Sequence, residues 1–304
     1  MRPLDVLGIA TLSFIWGTNF LLVEEALEGL TPAQIVTIRL LLGSAALVAL
    51  VLVFRARLPR SPVVWLKLTG MGLLGQGIPL LLFARGQQDV SSALAGVYTG
   101  LTPLLVIPVA WLMLRKRPSL AEVIACVVGF AGLVVVLAPW TEGGDSSVRG
   151  QLLCLAGAGC YAAAYGYAAR LLQTAVGDDR LAFAATQALA ASAIMLPGSQ
   201  LTRPMELTGL ILLCLALLGA GTAVAFLVNY WLIARIGPVR SSLAFYLIPV
   251  VAVAAGVVVR GERLTGHEVL GSLLVVAALG VLYTWERAQE RRAAVRQGDL
   301  QEAY

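Results

Sequence analysis

At 304 residues the chain is 59% hydrophobic and 13% charged, with a mean hydropathy of +0.86, where a soluble domain would carry roughly a quarter charged residues. The surplus apolar surface requires lipid, which excludes a soluble enzyme or binding module. The net charge of +5 sits in short clusters at the ends of apolar runs, so it reports membrane topology rather than a nucleic-acid partner.

A helix needs about 20 apolar residues to cross the hydrocarbon core, and breaks at charged or Gly/Pro-rich turns predict ten spans. The first, about 4–24, contains "SFIWGTNFLLVEEAL" (13–27). Arg2 precedes it and no small-residue cleavage pattern follows before Glu24, so it reads as a retained helix. The second, about 32–54, holds Arg39, the one basic residue well inside a span. The third, about 63–84, carries Gly75-Gln76-Gly77, and the fourth, about 91–114, carries Tyr98, Thr99 and Pro103. After "RKRPSL" comes the fifth, about 119–138. The sixth, about 149–171, holds Tyr161 and Tyr165; the seventh is about 180–199. The eighth, about 207–234, contains Gly221, Thr222, Asn229 and Tyr230. The ninth, about 238–260, contains Tyr246 and Pro249, and the tenth is about 266–285.

With the N-terminus inside, sixteen Lys and Arg fall on the inner side and five on the outer. This predicts cytoplasmic N- and C-termini. The halves repeat: a shift of 146 puts Pro103 on Pro249, Arg117 on Arg263, Glu122 on Glu268, and "GQG" (75–77) on "GTA" (221–223). A shift of 145 puts Trp16 and Phe20 on Tyr161 and Tyr165. Five spans per repeat is an odd number, so the second copy enters the membrane inverted. Inverted repeats are the usual build of secondary transporters, with a site near midplane where the repeats meet. The expected units are a first repeat over 1–140, a second, inverted repeat over 141–286 and a charged cytoplasmic tail over 287–304. The fold class is all-α and polytopic.

These segments in this order carry a resemblance: "WGTNF", "TIRLLLGSAAL", "TPLL…RKRPSLAEV", "GYAARLL" and "IPVVAVAAGVVVRGERLTGHEVLGSLLVVAALGVLY". Over about residues 5–285 the chain resembles the EamA family of the drug/metabolite transporter superfamily. The family's Gly-Glu-Arg turn stands intact at Gly261-Glu262-Arg263, while the first copy reads Arg115-Lys116-Arg117, an adaptation to the cytoplasmic side. The resemblance implies export of amino acids or similar small metabolites across a bacterial-type inner membrane. The alternatives are a channel-like or exchange carrier for another organic solute (a drug, nucleobase or sugar), or a membrane-embedded enzyme. The enzyme lacks equipment: no Ser–His pair at mid-depth, no HExxH and no paired aspartates.

Of six tryptophans, Trp65, Trp111, Trp140, Trp231 and Trp285 lie near predicted interfaces, where the ring is comfortable. Trp16 lies about 18 Å into its span at 1.5 Å per residue. Trp16 with Phe20, and Tyr161 with Tyr165, are i, i+4 pairs that serve either as helix packing or as flat walls of a shared cavity. Asn19, Gln76, Tyr98, Thr99, Thr222, Asn229, Tyr230 and Tyr246 are further candidate substrate contacts. Gln76 and Thr222, beside glycines, equally suit hydrogen bonds across a close helix contact. Arg39 is expected to pair with Glu24 or Glu25, either as an outer gate or as a permanent bridge. No Asp or Glu falls in the middle third of a span, so no proton site is assigned. The four cysteines, Cys126, Cys154, Cys160 and Cys214, match no metal spacing. No catalytic residue, metal or cofactor is expected. The expected partners are a small-molecule substrate and the bilayer, not nucleic acid, in a monomer or homodimer.

Overall fold

The computed structural model describes residues 2–86, 89–90, 92–141, 147–174, 179–260 and 265–302. Within these ranges the side chains at 20, 24, 84, 92–94, 141, 252, 255–256, 259–260, 286–287 and 289–302 lie outside the description. The Gly261-Glu262-Arg263 turn therefore lies outside the described residues.

The described residues form helices joined by short connections, with no strand. The first half contains α1 (Pro3–Ala26), α2 (Pro32–Val53), α3 (Pro62–Gly72), α4 (Ile78–Gly86), α5 (Ser92–Gly100), α6 (Thr102–Leu114) and α7 (Leu120–Leu137). The second contains α8 (Val148–Leu172), α9 (Arg180–Met195), α10 (Gly209–Ile236), α11 (Pro238–Ser242), α12 (Ala244–Arg260) and α13 (Gly266–Glu302). Helix starts follow their caps: Thr31 with Gln34 and Ser119 with Glu122 form capping boxes, satisfying first-turn donors that lipid cannot.

Nine segments among the described residues are long and apolar enough to cross a membrane, and a shorter apolar helix, Pro238–Val251, stands at the ninth predicted span. Three predicted spans are not the simple helices expected. The third joins α3 to α4 through a wide π-turn at Leu73–Gly77. The fourth breaks at Leu101, where Pro103 cannot donate a backbone hydrogen bond to Thr99. The ninth breaks at Leu243, whereas Pro249 lies inside the continuous α12. The tenth continues past 285 to Glu302 as one helix. Phe14, Leu52, Leu112, Leu152, Leu213 and Leu273 are each more than half exposed, a surface suited to acyl chains.

Helix α1 packs between α10 and α12, and α8 packs between α4 and α6. Helix α2 meets α9, and α7 pairs with α13 along one side. Two ends follow from this weave. At the terminal end, Asp5 at the start of α1 pairs with Arg235 at the end of α10. Beside it, Glu122 accepts from Arg240 Nε at 2.8 Å. At the opposite end the α1–α2 turn meets the α9–α10 connection: Gln34 Nε2 donates to the carbonyls of Gln200 (3.0 Å) and Arg203 (3.1 Å).

Candidate functional site

Between the halves lies a cavity of about 720 Å³, within the range of small-molecule sites. Helix α1 contributes Trp16, Asn19 and Val23, spaced three and four residues apart and so on one face. Gly17 lets this helix approach α12, because a Cβ there would stand 2.7 Å from Val251 and 2.9 Å from the Ile248 carbonyl. The cavity reaches out to half-exposed Leu27 and to Pro32 at the α1–α2 turn. Its other limit is set by buried Tyr230, Ile233, Phe245 and Ile248. It is therefore open at the α1–α2 end and closed at the terminal end.

Aromatic rings build the deep wall. Phe245 stands at its centre, with ring centroids 5.3 Å from Trp16, 5.6 Å from Tyr161 and 5.9 Å from Tyr165. Phe83 stacks on Tyr161 at 5.9 Å, and Phe226 lies 5.9 Å from Tyr230. Tyr165 donates from its hydroxyl to Asn229 Oδ1 at 2.9 Å.

Ten of the residues singled out in the sequence line this space: Trp16, Asn19, Arg39, Gln76, Thr99, Tyr161, Tyr165, Thr222, Asn229 and Tyr230. The side chains of Phe20 and Glu24 lie outside the described ones. Two others are placed elsewhere. Tyr98 does not line the cavity, and its hydroxyl donates to Gln151 Oε1 at 2.9 Å. Tyr246 turns the other way from Phe245 and donates to the Cys126 carbonyl at 2.8 Å, its ring lying where a Cβ on Gly129 would fall.

Of the two acids expected to pair with Arg39, only the Glu25 side chain is among the described ones. Among the described residues no carboxylate pairs with it, Glu25 included. Its Nε and Nη2 donate to Thr222 Oγ1 at 3.3 and 3.2 Å. The Asn19 amide, oriented by its neighbours, donates to the Ile15 carbonyl (3.1 Å) and accepts from Arg39 Nη2 (3.2 Å). The reason is depth: Glu25 lies six residues beyond Asn19, about 9 Å further along α1. Gly43 completes the contact, since a Cβ there would crowd Thr222 at 3.0 Å.

Gln76 sits in the π-turn, a distortion frequent at functional sites, and is 1% exposed. Neither of its amide atoms, nor the Tyr230 hydroxyl, has a hydrogen-bond partner. Buried polar groups are normally paired, so these exceptions leave unused hydrogen-bonding capacity at the cavity wall.

Phe83, Phe226 and Phe245 were not singled out from the sequence. The 146-residue shift carried the signal: it places Thr99 on Phe245, Leu80 on Phe226 and Phe83 on Asn229, and all six line the cavity. Among the described residues no group of three or more His, Cys, Asp or Glu is placed to hold a metal ion.

The EamA-like transporter family matches the chain twice, over residues 4–138 and 148–284. The uncharacterized inner membrane transporter YedA of Escherichia coli (strain K12) is 28% identical over 277 residues, spanning 90% of this chain and 88% of its own. The probable amino-acid metabolite efflux pump of Salmonella typhimurium (strain LT2) is 24% identical over 283 residues, spanning 87% and 90%. A solved crystal structure aligns with a TM-score of 0.80 over 95% of this chain and all of its own, at 23% identity; that likeness shows a shared fold. The two family matches cover nearly the whole chain: it belongs to the EamA-like transporter family and is a multi-pass membrane transporter.

Proposed function

We propose that the chain is a secondary transporter that exports amino acids or similar small metabolites, with the cavity as its substrate site. It works by alternating access between two inverted five-helix repeats of ten spans in all, over 1–140 and 141–286, with 287–304 as a cytoplasmic tail. Both termini are cytoplasmic in a bacterial-type inner membrane, and the functional unit is a monomer or homodimer. The observation that carries this reading is a cavity open at one end only, with walls built from matching positions of both halves. The helix pairing supports the repeat relation, because exchanging the halves exchanges α1 between α10 and α12 with α8 between α4 and α6. The efflux pump among the relatives supports the substrate class.

In this mechanism the open end faces the cell exterior. The terminal end is held shut by two ion pairs, each joining one half to the other: Asp5 with Arg235, and Glu122 with Arg240. Exposing the cavity to the cytoplasm requires both pairs to part while the outer mouth closes. The decisive experiment is counterflow in proteoliposomes loaded with unlabelled L-phenylalanine. Saturable, accelerated exchange of labelled L-phenylalanine is the expected result. Flux that rises linearly with concentration would indicate a channel instead.

A further inference from the structure

We propose that the transported solute carries a carboxylate and that Arg39 is the residue that selects it. This rests on the cavity being the substrate site. Arg39 is the one charged side chain among the described cavity-lining residues. Its partners there, Thr222 Oγ1 and the Asn19 amide oxygen, are neutral. They orient the guanidinium without cancelling its charge. Thr222 is itself fixed, donating to the Leu218 carbonyl at 2.7 Å, so the donor fork is held in place. The contacts to Thr222 and Asn19 engage Nε and Nη2 and leave the two Nη1 hydrogens for a ligand. These hydrogens sit on one nitrogen, so they meet a carboxylate by charge-assisted hydrogen bonds from Nη1 alone.

Among the described residues, neither structural explanation for Arg39 finds support. A bridge needs a carboxylate, and none pairs with it among the described residues. A snorkelling arginine would end at the membrane surface, whereas this guanidinium rests on Thr222, which is 2% exposed. The second half supplies no counterpart: shifts of 145 and 146 put Arg39 on Ala184 and Ala185, both fully buried. Among the described residues the site therefore has a single cationic pole. The Gln76 amide adds an independent unpaired donor, and the ring wall around Phe245 takes an apolar body. An organic cation would bury its charge against a fixed positive group and is excluded.

The test uses four probes sharing one phenyl body: 3-phenylpropanoate, 3-phenylpropanamide, L-phenylalanine and L-phenylalaninamide. Binding to the purified full chain and counterflow in proteoliposomes are measured for each. Each acid is expected to bind about 10- to 100-fold more tightly than its amide, the worth of a charge-assisted hydrogen bond. Arg39→Gln is expected to erase that preference, and Arg39→Lys to keep part of it. Equal binding of acid and amide by the unaltered chain, which needs no variant to fold, overturns the inference while saturable counterflow keeps the transporter reading intact. Non-saturable flux of all four probes overturns both. Glu24→Gln is the control for a counter-ion beyond the described side chains. An unchanged acid preference is expected, and a tenfold rise would show Arg39 already neutralised and overturn the inference.

Discussion

The two ends of the molecule are joined by different chemistry. At the terminal end, the Asp5 side chain is 4% exposed and Glu122 13%, and each meets an arginine of the other half at close range. At the mouth end, the ion pair between the halves among the described residues is Asp89 with Arg149, at 4.0 Å and with the arginine 78% exposed. Other contacts there are hydrogen bonds from Gln34 to backbone carbonyls and from Tyr98 to Gln151, and an apolar cluster of Ala26, Leu30, Ile35, Ile211 and Leu215. Sheltered pairs resist parting because a lone charge left behind is costly, while exposed pairs are worth little. The clasped end is therefore the one that holds the present state. On the proposed mechanism, the mouth is the end that closes.

Four substitutions sharpen this contrast. The largest effect is expected from Asp5→Asn, which strips Arg235 of its charge partner and leaves it only the Trp231 ring, 5.1 Å away. Thermal unfolding in detergent should show a loss of about 2 kcal/mol, reduced from the fully buried case because Arg235 is part-exposed. Gln76→Met should change stability in the opposite sense, by roughly +1 kcal/mol, since it removes two unpaired buried atoms. Solute affinity should fall at the same time. A variant both less stable and fully active would show that Gln76 is a packing residue. Glu122→Gln should cost about 1 kcal/mol: glutamine still completes the capping box with Ser119 but loses the charge on Arg240. Asp89→Asn should stay within about 0.5 kcal/mol and leave transport unchanged. If it matched Asp5→Asn, the distinction between the ends would collapse.

Much of this was legible in the sequence, and the failures have a common cause. Hydropathy located the apolar spans because the cost of burying charge in lipid depends on composition alone. The mid-span depth of Trp16 and the matched Gln76 and Thr222 led to the cavity because depth and repeat register are linear properties of the chain. Which face a residue presents is not linear. Tyr246 drew attention over Phe245, yet neighbours stand about 100° apart on a helix, and the structure turns Phe245 into the cavity and Tyr246 toward α7. Arg39 was matched to acids close in sequence, whereas its partner Thr222 comes from α10 through a crossing made possible by Gly43. The π-turn at Leu73–Gly77 and the breaks at Leu101 and Leu243 depend on how neighbouring helices satisfy the backbone, which no single-span pattern records.

The claim that the cavity opens to one side at a time is tested most directly at Ile233, a lining residue near the clasped end that is 3% exposed. Ile233→Cys, in a background lacking the four native cysteines, is reacted with an impermeant maleimide applied from either side of the membrane. The account predicts slow labelling from the terminal side, rising about tenfold or more when Asp5→Asn and Glu122→Gln are added, with labelling from the mouth side falling in step. Equal labelling from both sides in the unclasped and clasped proteins alike would contradict it.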